Sequence, residues 1–279
     1  MKYADLHIHT FYSDSTFSPE EVVATASNKA LAAIAICDHD SIDGIGPCTE
    51  LGLRSGVEIV PGIELTVEKP DAEIHLLGYF IDWEQEWLRK RLKEIQGIRI
   101  ERIHKMVAKL AQENVRMDAG DVFKISGKGS VGRMHLAQAM LRTGKIKRLK
   151  EAFDKYIGFL KPCYVSNIAF TPQEAIGLIL KAGGVPVLAH PGIMCKDEHI
   201  PELIGYGLKG IEVYHTDHTP TVTRHYEEIA KMYGLLASGG SDCHGLGKGR
   251  VLIGTTRVPY ELVDKLKAEA DRIKAENRK

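Results

Sequence analysis

The sequence predicts an α/β fold in which parallel strands alternate with helices. Two observations support this: short apolar runs alternate with stretches of helical composition, and histidines or acidic residues follow the ends of those runs. Strands that alternate with helices are typical of a parallel sheet. The predicted strands are Tyr3–Leu6, Ala32–Cys37, Glu58–Pro61, Ile74–Phe80, Val185–Ala189, Gly210–Val213 and Leu235–Ser238.

The stretches between these strands carry helix signals. Ser-Pro and Thr-Pro pairs stand at the starts of several of them, which places an N-cap residue before a proline in the first helical position. A charged amphipathic helix is expected from Glu261 to the C-terminus. The other predicted helices of the alternating part are Pro19–Lys29, Asp43–Ser55, Pro172–Ala182 and Pro220–Tyr233.

The middle of the chain departs from this rhythm, because Trp83 to Tyr156 is helical in composition without a convincing strand. We predict a long amphipathic helix, a loop over Phe123–Gly132, and shorter helices near Val131–Arg142 and Arg148–Tyr156. The expected division is a barrel domain formed by residues 1–98 and 166–279, with an inserted basic helical subdomain at 99–165. The long helix is predicted from Ile95, Ile98, Arg99, Arg102, Met106 and Lys109.

Composition favours a cytoplasmic protein without a membrane partner. Of the 279 residues 44% are hydrophobic and 27% charged, which is ordinary for a globular protein, and no apolar run approaches the roughly 20 residues that span a bilayer. The N-terminus leads into a polar motif instead of an apolar signal segment. Five cysteines without a C-x-x-C pair favour a reducing compartment.

Charge is distributed unevenly although the formal net charge is zero. Between Arg89 and Lys161 there are 19 Lys/Arg and 7 Asp/Glu, so this segment is basic and the remainder is acidic. One interpretation is a solvated lysine-rich helical surface. The other is a field that draws phosphate-bearing substrates toward a site on the acidic part.

Six of the seven predicted strands have a His, Asp or Glu at their C-terminal end; the Ile74 strand instead carries His75 at its start. In parallel α/β barrels that end carries the active site, and a random scatter of histidines would not favour the same end of each strand. The residues are His7, His9, Asp14, Asp38, His39, Asp40, Glu64, His190, His215, His218, Asp242 and His244.

These residue types indicate a metal site. Imidazole and carboxylate ligands without thiolate suit Zn²⁺, Mn²⁺ or Fe²⁺. His7 and His9 lie two residues apart, which places both rings on one face of an extended chain. About nine ligands oversupply one ion, so two or three ions that share a bridging carboxylate are expected. Clustered cations stabilise the attacking and leaving oxygens of a displacement at phosphorus.

Six segments, in this order, resemble the motif series of the PHP (polymerase and histidinol phosphatase) family. They cover nearly the whole chain, from residue 5 to residue 245. They read Asp5-Leu6-His7-Ile8-His9-Thr10, Cys37-Asp38-His39-Asp40, Gly62-Ile63-Glu64, His75-Leu76-Leu77-Gly78-Tyr79, Ala189-His190-Pro191-Gly192 and Gly240-Ser241-Asp242-Cys243-His244-Gly245.

The resemblance implies a distorted (β/α)7 barrel with a helical insert, three metal ions, and hydrolysis of a phosphoester by a metal-bound hydroxide. Glu64 would bridge two ions, and Glu64 and Asp242 would be catalytic. The implied ligand sets are His7, His9, Glu64 and Asp242 for the first ion, Glu64, His75 and His190 for the second, and Asp14, His39 and His244 for the third.

Within the family, the insert resembles that of stand-alone members that hydrolyse nucleotide monophosphates or 3′,5′-bisphosphates or trim short RNA from the 5′ end. The matching phosphate- or nucleoside-binding positions are Arg99, Arg102, Arg133 and His135. For Arg99 and Arg102 an exposed helix face is the competing interpretation. His215 and His218 are additional to the implied ligands, and either one serves as general acid or orients other groups; position favours His218 as the acid and leaves His215 near the substrate.

Departures from the family pattern fall beside the implied ligands and not on them, as with Cys37, Ser15, Met134 and Cys243. We therefore expect them to alter substrate preference. The expected partner is a phosphorylated small molecule, a nucleotide or a short RNA. Two alternatives stay open: a histidinol-phosphate phosphatase, and a non-catalytic metal-stabilised PHP module. The sequence predicts no oligomeric state.

Overall fold

Eight strands form one barrel-shaped sheet in the computed structural model, which describes residues 1–166, 170–194, 196–247 and 249–279. The strand order is β7-β6-β5-β4-β3-β2-β1-β8, and a parallel bridge between Ile8 and Cys243 brings β1 beside the end of β7, so the barrel is nearly closed. The strands are β1 (Tyr3–Ile8), β2 (Ala33–Ile36), β3 (Glu58–Lys69), β4 (Ala72–Tyr79), β5 (Val185–Leu188), β6 (Gly210–His215), β7 (Leu236–Gly240) and β8 (Val258–Pro259).

All seven predicted strands are present, but they are not all parallel. Strand β4 runs antiparallel to both β3 and β5, and β3 continues to Lys69, well beyond the predicted end at Pro61. Only Pro70 and Asp71 separate β3 from β4. A two-residue connection can join antiparallel strands, whereas a parallel crossover needs a dozen residues or more. Strand β8 was not predicted because two residues give no periodic signal.

Helices cover the outside of the barrel and form the middle of the chain. The predicted helices are confirmed with small shifts at their ends, except that the one predicted over Arg148–Tyr156 is α-helical only over Leu149–Ala152 and continues as a π-helical turn over Phe153–Ile157. The predicted N-caps of α1 and α7 are confirmed, and each forms a capping box, Ser18 with Glu21 and Thr171 with Glu174. The helices are α1 (Pro19–Asn28), α2 (Ile45–Ser55), α3 (Glu86–Gln112), α4 (Ala119–Ser126), α5 (Arg133–Arg142), α6 (Leu149–Ala152), α7 (Pro172–Lys181), α8 (Pro191–Met194), α9 (Ile200–Gly205), α10 (Pro220–Tyr233) and α11 (Glu261–Asn277).

One local prediction was wrong, since Phe123–Ser126 belongs to helix α4 and not to a loop. Asp118 caps this helix by accepting a hydrogen bond from the Gly120 N–H, and the helix ends at Gly127, where φ is +56°. The glycines that suggested a loop therefore mark the end of a short helix.

The hydrophobic core has three parts. One lies between the sheet and the surrounding helices. A second contains alternate strand residues such as Ala4, Ala33 and Val185 together with Val263 and Leu266 of α11, so α11 packs against the beginnings of the strands. The site described below lies toward the other end of the strands.

The third part of the core belongs to the middle of the chain and includes Met106, Val122, Leu136 and Ile157. The predicted domain boundary between residues 98 and 99 falls inside helix α3, which contributes to this part and to the first one. The division into a barrel and an insert at 99–165 stays a prediction. Among the described residues, no helix has the length and apolar character needed to cross a membrane.

Candidate metal and phosphate site

The nine implied metal ligands meet where the parallel strands end. His7 lies on β1 and Glu64 on β3, while His9, His39 and His190 follow β1, β2 and β5 directly or closely. His75 lies in the first half of β4, opposite Thr66 in the second half of β3. Because β4 runs antiparallel, its first half is located at the same end of the barrel, and this explains the strand that broke the sequence pattern.

Glu64 is located at the centre of the group and is buried, with a relative exposure of 1%. Its Oε1 atom lies 2.8 Å from His75 Nδ1 and 3.0 Å from His190 Nε2. Its Oε2 atom lies 3.1 Å from His39 Nδ1 and 3.3 Å from His9 Nε2. Although burial opposes ionisation, His39, His75 and His7 hold the pKa of Glu64 well below its usual range.

The remaining ligands form two groups around this carboxylate. His7 Nε2 and His9 Nε2 lie 3.2 Å apart, and His9 Nε2 is also 3.2 Å from Asp242 Oδ1. On the other side, Asp14 Oδ1 lies 3.2 Å from His244 Nε2. Three sets of residues can each hold a metal ion in this region: His7, His9 and Asp242; His39, Glu64 and His75; and His9, Asp14, His39 and His244.

Metal ions fit this donor set. Asp14 Oδ1, His39 Nδ1, Glu64 Oε2 and His190 Nδ1 are buried and make no hydrogen bond to the described part of the chain, although several lie within about 3 Å of another polar atom. Buried polar atoms without partners are costly, and each needs an explanation. Divalent cations would satisfy these nitrogen and oxygen atoms, which are donor types that such ions prefer.

Backbone strain is concentrated at the same place. Asp40, His190 and Asp242 are non-glycine residues with positive φ, at +48°, +26° and +50°. Such conformations cost free energy and persist where the surroundings enforce them, often at functional sites. Here they turn the chain sharply just after β2, β5 and β7.

Two buried carboxylates outside the implied ligand sets support the ligands. Glu212 on β6 lies 3.1 Å from His7 Nδ1 and accepts a hydrogen bond of 2.8 Å from the His190 backbone N–H. Asp38 accepts hydrogen bonds from Thr10 and Ser13, which fixes the loop that leads to Asp14. Carboxylates behind ligating histidines orient the rings and set their tautomers.

Irregular pairing explains the spacing of some site residues. The register of β6 against β7 shifts between Glu212 and Tyr214. Regular alternation would place Glu212 and His215 on opposite faces, yet Glu212 contacts His7 and His215 Nε2 lies 3.5 Å from Asp242 Oδ2. Bulges of this kind redirect side chains beside active sites.

The two additional histidines differ in placement. Burial opposes protonation of His215, but Asp242 and Glu212 raise its pKa. Neither His215 nor His218 is among the residues that line the cavity described below. His218 Nδ1 lies 2.9 Å from the Val213 carbonyl, and its Nε2 accepts a hydrogen bond from the Gly192 N–H. A general-acid role for His218 therefore requires that its contact with Gly192 break, and this role stays a prediction.

A cavity of about 350 Å³ opens over the ligand cluster, at the low end of the range for small-molecule sites. Cluster residues form its floor. Its wall contains Arg99 and Arg102 of α3 and Arg133 of α5. Arg99 and Arg102 are buried, so the structure contradicts the competing interpretation that they lie on an exposed helix face.

Carboxylates of the barrel hold Arg99 and Arg133 in place, whereas Arg102 Nε donates a hydrogen bond of 2.7 Å to the Val165 carbonyl. Arg99 Nε lies 2.5 Å from Asp40 Oδ2, Arg102 Nη2 lies 3.7 Å from Glu68 Oε1, and Arg133 Nη2 forms an ion pair with Glu73. Burial and the neighbouring Arg133 lower the pKa of Arg102 to about 10. Guanidinium groups that repel one another beside a cavity favour an anion there.

His135 is buried at the start of α5, beneath this wall. Its Nδ1 accepts a hydrogen bond from the Gly132 N–H, and it is not one of the residues that line the cavity. The structure thus brings Arg99, Arg102 and Arg133 to the cavity, whereas His135, His215 and His218 are not among the residues that line it. Substrate contact by His135 and by His215 therefore stays a prediction.

Residues 5–165, more than half of the chain, match the family described as PHP domain. The chain belongs to the PHP domain family. A 3′,5′-nucleoside bisphosphate phosphatase of Chromobacterium violaceum is 31% identical over 90% of each of the two chains. The 5′-3′ exoribonuclease Rnm of Escherichia coli is 29% identical over 86% of this chain and 84% of that protein.

Further similarities agree with this assignment. A phosphoribosyl 1,2-cyclic phosphate 1,2-diphosphodiesterase of Eggerthella lenta is 30% identical to this PHP protein, over 86% of this chain and 94% of that one. Two solved structures, each with a TM-score of 0.86 and 29% identity, cover 95% of this chain, and 96% of each solved chain is matched. One is a Bifidobacterium adolescentis protein assigned to the metal-dependent phosphoesterases, and the other an amidohydrolase of Chromobacterium violaceum with bound sulfate. The chain is a metal-dependent phosphoesterase with the α/β barrel of its family.

Proposed function

We propose that this PHP protein hydrolyses phosphate monoesters or diesters of nucleotides, with nucleoside 3′,5′-bisphosphates and short 5′-phosphorylated RNA as the preferred class and AMP as a smaller substrate. The observation that carries the proposal is Arg102. Its Nη2 atom is buried and makes no hydrogen bond within the described part of the chain, yet Arg102 lines the cavity over the ligand cluster. A buried guanidinium with an unused donor fits a phosphate oxygen.

The metal ions would be held by the nine ligands described above, and two or three divalent ions (Mn²⁺, Zn²⁺ or Fe²⁺) suit these donors. When bound, the ions lower the pKa of water and stabilise charge on the phosphoryl oxygens. The chain itself contributes orientation: Glu212 fixes the His7 ring, and Asp38 fixes the loop of Asp14.

The arrangement of charge supports a substrate with phosphate at two places. One phosphate would lie over the cluster, where the reaction occurs, and a second would be bound by Arg102 and Arg133. Met134, Phe153 and Ile193 add apolar surface to the same cavity and suit a nucleoside between the phosphates. A cavity of about 350 Å³ accommodates one nucleotide, so an RNA substrate would enter by its end.

A turnover panel with Mn²⁺ tests this proposal. The substrates are adenosine 3′,5′-bisphosphate, AMP, a short 5′-phosphorylated RNA and histidinol phosphate. We expect kcat/KM to be highest for the bisphosphate or the RNA. Equal or higher kcat/KM for histidinol phosphate would contradict the nucleotide assignment, and no release of phosphate or nucleotide from any substrate by metal-loaded protein would overturn the proposal.

A further inference from the structure

One buried carboxylate, Glu73, connects the ligand cluster with the arginine wall. It lies on β4, two residues before His75, so the two side chains are on the same face of the strand. Glu68 is its cross-strand partner on β3. The relative exposure of Glu73 is 3%, which is low for an acidic residue in a hairpin.

The two carboxylate oxygens of Glu73 contact different parts of the site. Oε1 lies 3.6 Å from His75 Nε2 and forms the ion pair with Arg133 Nη2. Oε2 accepts a hydrogen bond of 3.2 Å from the Tyr164 hydroxyl and lies 3.9 Å from Arg102 Nη2. Although burial opposes ionisation, Arg133 and His75 hold the pKa of Glu73 below its usual range.

We propose that Glu73 is a positioning residue that fixes the ring of the metal ligand His75 and the guanidinium of Arg133 at the same time. The inference has two parts: a metal half, which is the effect of Glu73 on metal binding through His75, and a substrate half, which is its effect on substrate binding through Arg133. The substrate half rests on the proposed function, whereas the metal half does not. This one side chain contacts both a residue of the metal cluster and a residue of the phosphate-binding wall.

The metal half follows from the contacts of the two nitrogens of the His75 ring. Nδ1 faces Glu64, and Nε2 faces Glu73 on the opposite side. Loss of a carboxylate behind a ligating histidine typically costs 10–100-fold in metal affinity, because the ring orientation and the tautomer are no longer fixed. A carboxylate oxygen of Glu73 faces one ring nitrogen of His75, just as a carboxylate oxygen of Glu212 faces one ring nitrogen of His7.

The substrate half follows from the shape of Arg133. Its guanidinium lies near the Phe153 and Tyr164 rings, at 5.9 and 5.4 Å from their centroids, and Glu73 holds one of its terminal nitrogens. A guanidinium fixed in this way keeps its other donors directed for binding, which reduces the entropy lost when phosphate binds. The connection also joins helix α5 to the β3–β4 hairpin.

The first experiment measures Mn²⁺ binding to the metal-depleted full-length chain by calorimetry, without substrate. We expect Glu73→Ala to raise the Kd for Mn²⁺ by about 10–100-fold. Glu73→Gln should raise it less, since the amide oxygen can take the place of the carboxylate oxygen that faces His75 Nε2. Glu68→Gln is the matched control, because Glu68 also contacts Arg102 and Tyr164, and its Kd should stay near that of the wild type.

The second experiment is a double-mutant cycle on KM for adenosine 3′,5′-bisphosphate at saturating Mn²⁺. Glu73→Ala and Arg133→Ala should each raise KM, and the double variant should resemble Arg133→Ala alone, because Glu73 acts on substrate through Arg133. Arg133→Ala by itself should leave the Kd for Mn²⁺ unchanged.

Some results would overturn the inference. A wild-type Kd for Mn²⁺ in Glu73→Ala rejects the metal half, and additive effects on KM reject the substrate half. If Glu73→Ala does not fold, Glu73→Gln serves in both experiments, and a wild-type Kd and KM for Glu73→Gln then reject the positioning role. Absence of turnover by the wild type would reject the proposed function instead and would leave the Mn²⁺ result interpretable.

Discussion

The ligand cluster and the arginine wall surround one cavity, but they are built in different ways. In the cluster, buried polar atoms such as His39 Nδ1 and Glu64 Oε2 face each other without hydrogen bonds. In the wall, Arg99 and Arg133 form ion pairs with the buried barrel carboxylates Asp40 and Glu73. The cluster is arranged for ions that complete it, and the wall is largely complete within the chain.

Because of this difference, variants of the cluster and variants of the wall should lose different properties. Loss of a cluster residue removes a site for the ions and therefore the chemistry. Loss of a wall residue would remove a proposed contact to the substrate, or would break a buried ion pair, which destabilises the fold. Activity, metal content, stability and KM therefore separate the two regions.

The largest effect is expected at the centre of the cluster. Glu64→Gln removes the charge that five histidines surround, so we expect lower metal content and a fall in kcat of at least about 10³-fold, equivalent to about 4 kcal/mol of transition-state stabilisation. Metal content is measured by elemental analysis and kcat with the bisphosphate. Glu58→Gln, on the same strand but outside the cluster, is the control, and wild-type rates in Glu64→Gln would refute the central role.

The next effect tests the ion pair that joins α3 to the cluster. Arg99→Ala leaves the Asp40 carboxylate buried without its charged partner. Breaking a buried pair in this way typically costs about 3–5 kcal/mol, so we expect that loss in the free energy of unfolding, measured with urea. Lys155→Ala, at an exposed pair with Glu151, should change this free energy far less, and equal effects would contradict the assignment.

The cluster could be predicted from the sequence because most of its residues directly follow strands that the sequence also predicts. A parallel strand delivers the residue after it to one end of the barrel, so a histidine or acid at that point can be located without a structure. His75 fitted poorly, since the antiparallel course of β4 depends on the two-residue turn at Pro70 and Asp71.

Glu212 and Glu73 were missed for the same physical reason. Both lie inside strands and not at strand ends. Glu212 contacts His7 of another strand, and Glu73 contacts the nitrogen of the His75 ring that faces away from Glu64. A signal was present at Glu212, since a carboxylate between Ile211 and Val213 in a buried strand is costly unless it has a partner. Helical spacing placed Arg99 and Arg102 on one face of α3, but only tertiary packing shows that this face is buried.

A third variant tests whether a buried carboxylate outside the ligand set matters to the cluster. Glu212→Ala removes the group behind His7 and leaves the His190 N–H without its acceptor. We expect Mn²⁺ to bind about 10–100-fold more weakly by calorimetry, with partial recovery in Glu212→Gln. Glu227→Ala, whose carboxylate contacts Tyr214 at the surface, is the control, and unchanged Mn²⁺ affinity in Glu212→Ala would contradict a supporting role.

The smallest effect is expected in the wall, at Arg133. Arg133→Ala removes a charged hydrogen-bond donor from the cavity, which is worth about 1.5 kcal/mol, or about tenfold in KM, while kcat changes little because the cluster is intact. Steady-state kinetics with adenosine 3′,5′-bisphosphate measure both constants. Arg142→Ala, at the exposed end of the same helix, should leave KM unchanged. A fall in kcat without a rise in KM would mean that Arg133 acts on the reaction instead of on binding, and the separation between wall and cluster would then not hold.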